Sequence, residues 1–564
     1  MCSIYGLVGE IARHADETKI YSAFNTLRKR GPDRSLTIFN PDSILGFHRL
    51  AINGLDVDGD QPFYLVDGDR TFYLLCNGEI YNFRELIKEF NLDISLHGSD
   101  CAVILPLFKL FMYDIEQLNK ILIGEYSFSI VEYYNHQVKQ LFLSTDPMSV
   151  RPIFFGVSSD KKSFGFSSLL SGLAPFFEKV ERLDQKTILQ WVPGSEPSYK
   201  KYWENIFNTD YSIHAKPENT DYENAMSIFE NAVRRRLISD RPIGCLLSGG
   251  LDSSAVCAVA AAIMKEEYPG KKLKTFSIGM KEGTDIVFAK MVAQRLNELY
   301  GNIEHQVILF TPEEGLEVID EVLKNTETFD ITTIRASVGQ YLLGKYISDN
   351  TDVKVVLNGD GADECQMGYL YFYNHPDLKS AQEDHYRLLD EIHLFDGLRV
   401  DRAISCSGLE ARVPFLDREF VDYFRSLPAS WKAPVKGTIE KDFFRTAFAK
   451  SKFGPSLPEE VLWRKKEAFS DGVSGKEKSW FQWVQEYLDT KVTDEEFAIE
   501  RKELHPSIIP PSKEAFYFMR SFKERLGGQW QVVPHYWLPQ WSGNISEPSA
   551  RVLEVYKENN ETKS

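Results

Sequence analysis

The chain has 564 residues, too many for one domain at about 100–200 residues each, so two or three domains are expected. Hydrophobic residues make up 43% and charged residues 26%, proportions that exclude a disordered chain. A net charge of −17 and a pI near 5.3 argue against nucleic acid or an anionic membrane as the main partner. A basic pocket for an anionic substrate can still sit within such a surface.

The seven cysteines are Cys2, Cys76, Cys101, Cys245, Cys257, Cys365 and Cys406. Their odd number, with no CxxC pair, speaks against a disulfide framework or a structural zinc and for a reducing, cytoplasmic setting. No basic stretch followed by an apolar run opens the chain, so no signal peptide is expected. No run of about eighteen apolar residues predicts a membrane helix. The triplets Asn544-Ile545-Ser546 and Asn560-Glu561-Thr562 read as chance glycosylation matches.

In chain order, the first 200 or so residues carry short apolar runs at Ser3–Val8, Thr71–Cys76, Ser127–Tyr133 and Gln140–Ser144. Turn residues at Arg30-Gly31-Pro32-Asp33, Asn53-Gly54 and Val66-Asp67-Gly68-Asp69 punctuate them, so this part reads as rich in sheet. Apolar residues at helical spacing predict a helix over Asp100–Phe111. The polar stretch Asn208–Asn219 reads as a linker, which divides the chain into domains of 1–207 and 208–564.

Beyond it helices and apolar strands alternate. Helices are expected at Tyr222–Leu237, Ser253–Glu267, Asp285–Tyr300 and Pro312–Asn325. Strands are expected at Pro242–Leu247, Leu273–Met280, Glu304–Phe310 and Lys354–Leu357. Such alternation implies βαβ units and a mainly parallel sheet, with ligands at the carboxyl ends of its strands.

After the strand ending at Leu247 comes Ser248-Gly249-Gly250-Leu251-Asp252-Ser253-Ser254, then a helix. Two glycines let backbone N–H groups close on an anion, and the helix N-terminus adds its dipole. Asp252, a carboxylate where phosphate would bind, makes sense with Mg²⁺ between the two anions. No Gly-Lys-Ser/Thr follows, so this is not the common kinase-type phosphate loop.

Asn358-Gly359-Asp360-Gly361-Ala362-Asp363-Glu364, at another strand's end, suits a metal–phosphate site or an ordinary turn. Thr332-Thr333-Ile334-Arg335 suits a carboxylate or pyrophosphate, or a capped helix start. Trp463-Arg464-Lys465-Lys466-Glu467 could neutralise a phosphate, or be a solvated basic turn.

At the other end of the chain, removal of Met1 would make Cys2 the first residue. A thiol nucleophile and an α-amine base titrating near ~8 would then share one residue. Asn77 and Gly78 could hold an oxyanion. Arg49, Glu79 and Asp100 supply the charges that a small zwitterion such as glutamine requires.

Cys2–Gly6, Arg30–Asp33, Asn77–Asn82 and Gly98–Asp100 together resemble class II glutamine amidotransferases. The Ser248–Ser254 loop resembles the signature of ATP pyrophosphatases. Leu246–Ser254, Glu327–Ser337, Gly368–Phe372, Glu410–Asp417, Trp463-Arg464 and Phe469–Val473 make the second half similar to the asparagine synthetase family.

The resemblance implies an α+β N-terminal-nucleophile glutaminase domain, an αββα sandwich, joined to an α/β parallel-sheet ATP-pyrophosphatase synthetase domain. By it, Cys2 attacks the glutamine amide, with Asn77 and Gly78 as oxyanion hole. Arg49, Leu50, Ala51, Ile52, Asn53, Glu79 and Asp100 border glutamine. ATP lies on Leu247, Ser248, Gly249, Gly250, Asp252, Ser253, Ser254, Ile278, Asn358 and Gly359, and Asp252 and Asp363 hold Mg²⁺. Thr332, Thr333 and Arg335 line the aspartate and pyrophosphate region, while Asp360 and Lys466 are catalytic. The implied reaction runs through β-aspartyl-AMP, which ammonia carried internally from the first site converts to asparagine. A homodimer without nucleic-acid or membrane partners is implied too.

The sequence departs from the family pattern at several points. Asp360 replaces the usual Glu, one methylene shorter, and Asn358 replaces the usual Ser. His48 stands where Glu is usual and Asn53 where an apolar residue is. Asp146–Pro152 replaces an Asp-His-Leu-Gly-like segment. A related acid-adenylating ligase, such as a β-lactam synthetase, is the alternative enzyme reading, and intact Cys2, Arg49, Asn77 and Asp100 argue against it. A non-catalytic nucleotide- or glutamine-binding protein is the alternative of another class.

Overall fold

The computed structural model describes residues 1–209, 211, 216–281, 283–467, 472, 474, 478–543 and 547–549. The resembling stretch Phe469–Val473, Gly472 apart, and both glycosylation triplets lie outside the described residues.

The first half holds two six-stranded antiparallel sheets. One runs, edge to edge, Val180–Arg182, Phe154–Val157, Ser163–Ser167, Ser3–Gly9, Ser43–Arg49 and Arg34–Asn40. The other runs Ser198–Lys201, Thr187–Trp191, Gln137–Thr145, Gly124–Tyr134, Arg70–Ile80 and Phe63–Asp67. Ile4, Phe47 and Phe166 of the first sheet share one buried cluster with Val131, Leu143 and Trp191 of the second, so the sheets pack face to face. On the far side of the second sheet, Phe72 and Leu74 meet the helices Phe83–Glu89, Ile104–Leu110 and Ile115–Ile121. Phe24 of the helix Glu17–Asn25 meets Tyr5 on the far side of the first, with ring centroids 5.7 Å apart.

Two expectations need correcting here. The strand read at Thr71–Cys76 does not end before Asn77-Gly78-Glu79 but runs through it as Arg70–Ile80, because pairing with Gly124–Tyr134 continues to Ile80 opposite Gly124. Asp100–Phe111 is not one helix but a 3₁₀ turn, Asp100–Val103, leading into Ile104–Leu110.

The second half is built on a five-stranded parallel sheet in the order Ile303–Leu309, Leu273–Gly279, Ile243–Leu246, Val355–Leu357, Glu410–Arg412. In chain order that is 3-2-1-4-5, so the direction of winding switches between Ile243–Leu246 and Val355–Leu357. A crevice opens at such a switch, beyond the carboxyl ends of the two strands. The helix Leu251–Glu267, buried at every residue from Ser253 to Met264, packs beneath it. Its Ala-rich composition allows that all-round contact. The helix expected over Pro312–Asn325 is two pieces, Pro312–Glu317 and Ile319–Thr326.

The halves meet over buried charge. Arg30, 2% exposed, donates to both oxygens of Asp401, itself 0% exposed, at 2.6 and 3.0 Å. Arg151 and Arg236 both reach Glu125, at 2.8 and 2.7 Å. Leu50 and Ile52 of the first half pack on Val355 of the parallel sheet.

Candidate active sites

The crevice at the switch point is lined by Leu247, Ser248, Gly250, Asp252, Ser253 and Ile278 from one side and by Asn358, Gly359, Asp360 and Asp363 from the other. Gly249 has φ +81°, and a Cβ there would stand 2.4 Å from the Ala289 backbone nitrogen. A Cβ on Gly359 would stand 2.7 Å from the nitrogen of Ser253. Both glycines are therefore required: Gly359 because the two strand-end loops meet backbone to backbone, and Gly249 because its loop lies against the backbone of the helix Thr284–Tyr300. Ser248 and Ser253 hydroxyls lie 2.9 Å apart, and the fully buried Ser254 hydroxyl has no protein partner.

The carboxylates of Asp252 and Asp363 converge on one ammonium. Lys441 Nζ lies 2.6 Å from Asp252 Oδ2 and 2.7 Å from Asp363 Oδ1, and Lys466 bonds the other oxygen of Asp363. The two lysines hold the Asp363 carboxyl far below the usual range against the opposing effect of burial. Mg²⁺ takes one or two protein carboxylates and completes its shell with phosphate and water, so this pair fits such an ion. Among the described residues no cluster of three or more acidic, His or Cys side chains offers a fuller metal site. The basic turn Trp463–Glu467 faces the crevice, with Arg464 donating to Gly249 O at 3.2 Å and to Asp285 at 2.9 Å.

Asp360 is held on three sides. Gln340 Nε2 and Asn358 Nδ2 both donate to its Oδ2 at 2.9 Å, and Arg399 donates to Oδ1 at 3.0 Å. Burial raises its pKa, and Arg399 opposes the rise. Arg399 also bonds Asp396, whose other oxygen accepts from Tyr369 at 3.1 Å.

In the first half, Cys2 Sγ is half-buried against Leu50, 3.4 Å from its N and 3.5 Å from its O. Burial pushes the thiol up to about 12. Met1 is wholly buried and donates its ammonium to Leu409 O at 3.3 Å; burial lowers that ammonium to about 6. Arg30 Nε donates to the Cys2 carbonyl at 3.2 Å. Both polar atoms of the Asn77 amide are buried without a hydrogen-bond partner. Gly78 has φ +144°, and a Cβ there would lie 2.1 Å from Glu125 O.

Glu79 accepts from Asn53 at 2.5 Å and lies 3.3 Å from Arg412 of the second half. Burial, Asp100 and Glu410 push its carboxyl well up. Asp100 accepts from Ile80 N at 2.6 Å and is raised by burial to about 6.

Not every expected residue faces a site. Thr332 lines the crevice, but Thr333 bonds the helix-capping Asp330 at 2.8 Å. Arg335 is clamped by Glu514 at 2.5 Å and Glu547 at 2.5 Å and is not part of the crevice lining. These acids, distant in sequence, draw the guanidinium away from the anion region in which it was expected. Arg49 bonds Asp60 at 2.7 Å and the carbonyls of Asp56 and Gly54. Leu50 and Ile52 face the parallel sheet, Ala51 N donates to Asp33 at 2.9 Å, and only Asn53 turns its side chain to Glu79.

Sequence reasoning missed Lys441, Gln340, Arg399 and Asp396. None stands in a loop with a recognisable pattern, and only the fold brings them to the crevice. The one local signal, Glu440-Lys441-Asp442, looks like any charged turn.

A sheet sandwich carrying Cys2 beside a parallel sheet with a crevice at its switch point matches a two-domain amidotransferase architecture. A glutamine amidotransferase domain family matches residues 1–213, and an asparagine synthase family matches 225–391 and 375–544. The chain is 38% identical to the glutamine-hydrolysing asparagine synthetase of Gallus gallus and 37% to those of Bos taurus and Homo sapiens, over 99% of both chains in each case. It belongs to the family of glutamine-hydrolysing asparagine synthetases. A solved U34-tRNA thiolase, NcsA from Methanococcus maripaludis, aligns with 57% of this chain and 85% of its own at 14% identity and a TM-score of 0.22, too slight a likeness to bear on the fold.

Proposed function

We propose that this chain makes asparagine from aspartate, glutamine and ATP, releasing glutamate, AMP and pyrophosphate. Its first half acts as an αββα N-terminal-nucleophile glutaminase and its second as an ATP-pyrophosphatase-type synthetase, divided near residue 207.

Loss of Met1 frees the Cys2 amine, which takes the thiol proton as sulfur attacks the glutamine amide carbon. Carbon–nitrogen cleavage releases ammonia and leaves a thioester that water hydrolyses to glutamate. The unpartnered Asn77 amide, with the Gly78 N–H, receives the oxyanion. Glu79, Asp100 and Arg49 hold the two charged ends of glutamine.

In the crevice, Leu247 and Ile278 flank the adenine and the Ser248–Ser254 loop holds phosphate. Asp252 and Asp363 would hold Mg²⁺, which neutralises pyrophosphate charge. Lys441 and Lys466 turn from these carboxylates to the phosphates as charge develops there. The aspartate β-carboxylate attacks the α-phosphorus, pyrophosphate leaves, and ammonia displaces AMP from the acyl phosphate.

One observation carries the two-site reading. The edge strand Glu410–Arg412 pairs with the strand that leads into Asn358, and its Arg412 reaches Glu79 of the glutaminase half at 3.3 Å. The glutaminase site thus contains a side chain from the strand next to the one that leads into the crevice. Family resemblance adds a cytoplasmic homodimer to the proposal.

Product analysis of the purified protein with aspartate, ATP, Mg²⁺ and either glutamine or ammonium tests it. Equimolar asparagine and AMP from either nitrogen source are expected. Glutamate without AMP would sink the synthetase reading.

A further inference from the structure

The crevice contains an acceptor with nothing to accept. Gln340 lies on the helix Ile331–Asn350, on the stripe that also sends Thr332 and Ala336 into the crevice at helical spacing. The residue is 5% exposed. The amide cannot be turned around, because Nε2 donates to the Asp360 carboxylate at 2.9 Å and a carboxylate only accepts. Oε1 therefore points away from Asp360, and it is buried without a partner. A buried carbonyl in that state calls for a donor from outside the protein, a water or an N–H of a ligand.

The position narrows the choice of ligand. On the synthetase reading the phosphates lie at Lys441 and Lys466, which bond Asp252 and Asp363. Gln340 stands at Asp360, which is bonded on its other oxygen by Arg399 of the helix Asp396–Ser405. That same helix presents Asp401 to Arg30, the residue that bonds the Cys2 carbonyl. Gln340 thus lies on the side of the crevice tied to the glutaminase.

We propose that Gln340 Oε1 receives and orients the attacking ammonia. This rests on the synthetase reading above. Nitrogen bonds to the β-acyl carbon, the acyl C–O bond breaks with its electron pair on AMP, and the proton that nitrogen sheds passes to Asp360 and on to solvent. Gln340 also keeps the short Asp360 side chain turned to that nitrogen.

Gln340→Met and Asn358→Ala separate this role from mere support of Asp360. Each removes one donor to Asp360 Oδ2, and only the first removes the unpartnered acceptor. Steady-state assays on the full chain should show the ammonium KM of Gln340→Met raised about tenfold more than its aspartate KM, the scale of one lost hydrogen bond. In Asn358→Ala the two constants should move together. Parallel changes of both constants in Gln340→Met, or a change in the aspartate KM alone, would overturn the proposal. An inactive wild-type chain would instead count against the synthetase reading. Calorimetric Tm values of both variants identify any loss that comes from unfolding.

Discussion

At the scale of the residue, two polar side chains of the first half are buried for opposite reasons. Asn77 is fully buried with its amide unpartnered, an arrangement that costs about 1–3 kcal/mol in a folded protein. An oxyanion that forms there recovers the cost. Asn77→Ala should lower glutamate formation by about 10²–10³-fold in kcat while ammonium-supported synthesis continues. Equal loss of both activities would deny the amide its role. His48 has both nitrogens occupied: Nε2 donates to Phe24 O at 3.0 Å, and Nδ1 accepts from Ser35 at 2.7 Å. Its ring also stacks on Phe24 at 3.8 Å. The His48 side chain therefore faces the helix Glu17–Asn25. Burial lowers its pKa from 6.5 to about 4. Between those values the unfolded chain holds the proton and the folded chain does not, so stability falls as the pH drops through that window. A loss of about 3 kcal/mol is expected from this group by pH 4, and His48→Gln should flatten that part of a denaturation series.

At the scale of the element, the loops of the crevice stand or fall with their glycines. Gly249→Ala meets both a positive φ and a backbone nitrogen 2.4 Å away, so the loop must shift. A loss of about 1–3 kcal/mol is expected, with a raised KM for ATP and an unchanged glutaminase rate. Retained ATP affinity would show that the loop's close approach is unimportant. This loop was legible in the sequence because its chemistry is local: two glycines, three serines and one acid between a strand and a helix. Apolar strands and the helices between them were legible on the same ground. Lys441 and Arg399 were not, because each reaches its site across a long loop closure that no short pattern encodes. Arg335 shows the converse. Its segment matched a motif, yet Glu514 and Glu547, 179 and 212 residues further on, set where its charge goes. Strand ends misled for a similar reason, since the apolar run stops at Cys76 while pairing with Gly124–Tyr134 carries the strand on through Asn77–Glu79 to Ile80.

At the scale of the whole molecule, a coupling between two reactions has to pass through the contact between the halves. Asp401 sits at its centre, bonded to Arg30 and 3.6 Å from Arg151 and 3.8 Å from Arg402, all almost fully buried. Asp401→Asn leaves those cations short of one charge, and a broken buried pair costs about 3–5 kcal/mol. A cost of that kind would slow both reactions alike. The connectivity predicts something more specific. Arg30 bonds the Cys2 carbonyl, and the helix that carries Asp401 also carries Arg399, which bonds Asp360. Loosening this helix should let glutamine be hydrolysed without the ammonia being used, so glutamate formed per asparagine should rise above one. Glu327→Gln provides the comparison. Glu327 bonds Arg402 at 2.7 Å and the Leu170 N–H at 2.8 Å in the same interface, but it touches neither Arg30 nor Arg399. That variant should lose stability and keep the product ratio near one. If the ratio stays near one in Asp401→Asn as well, the buried charges only hold the halves together, and coupling between the sites must follow another route.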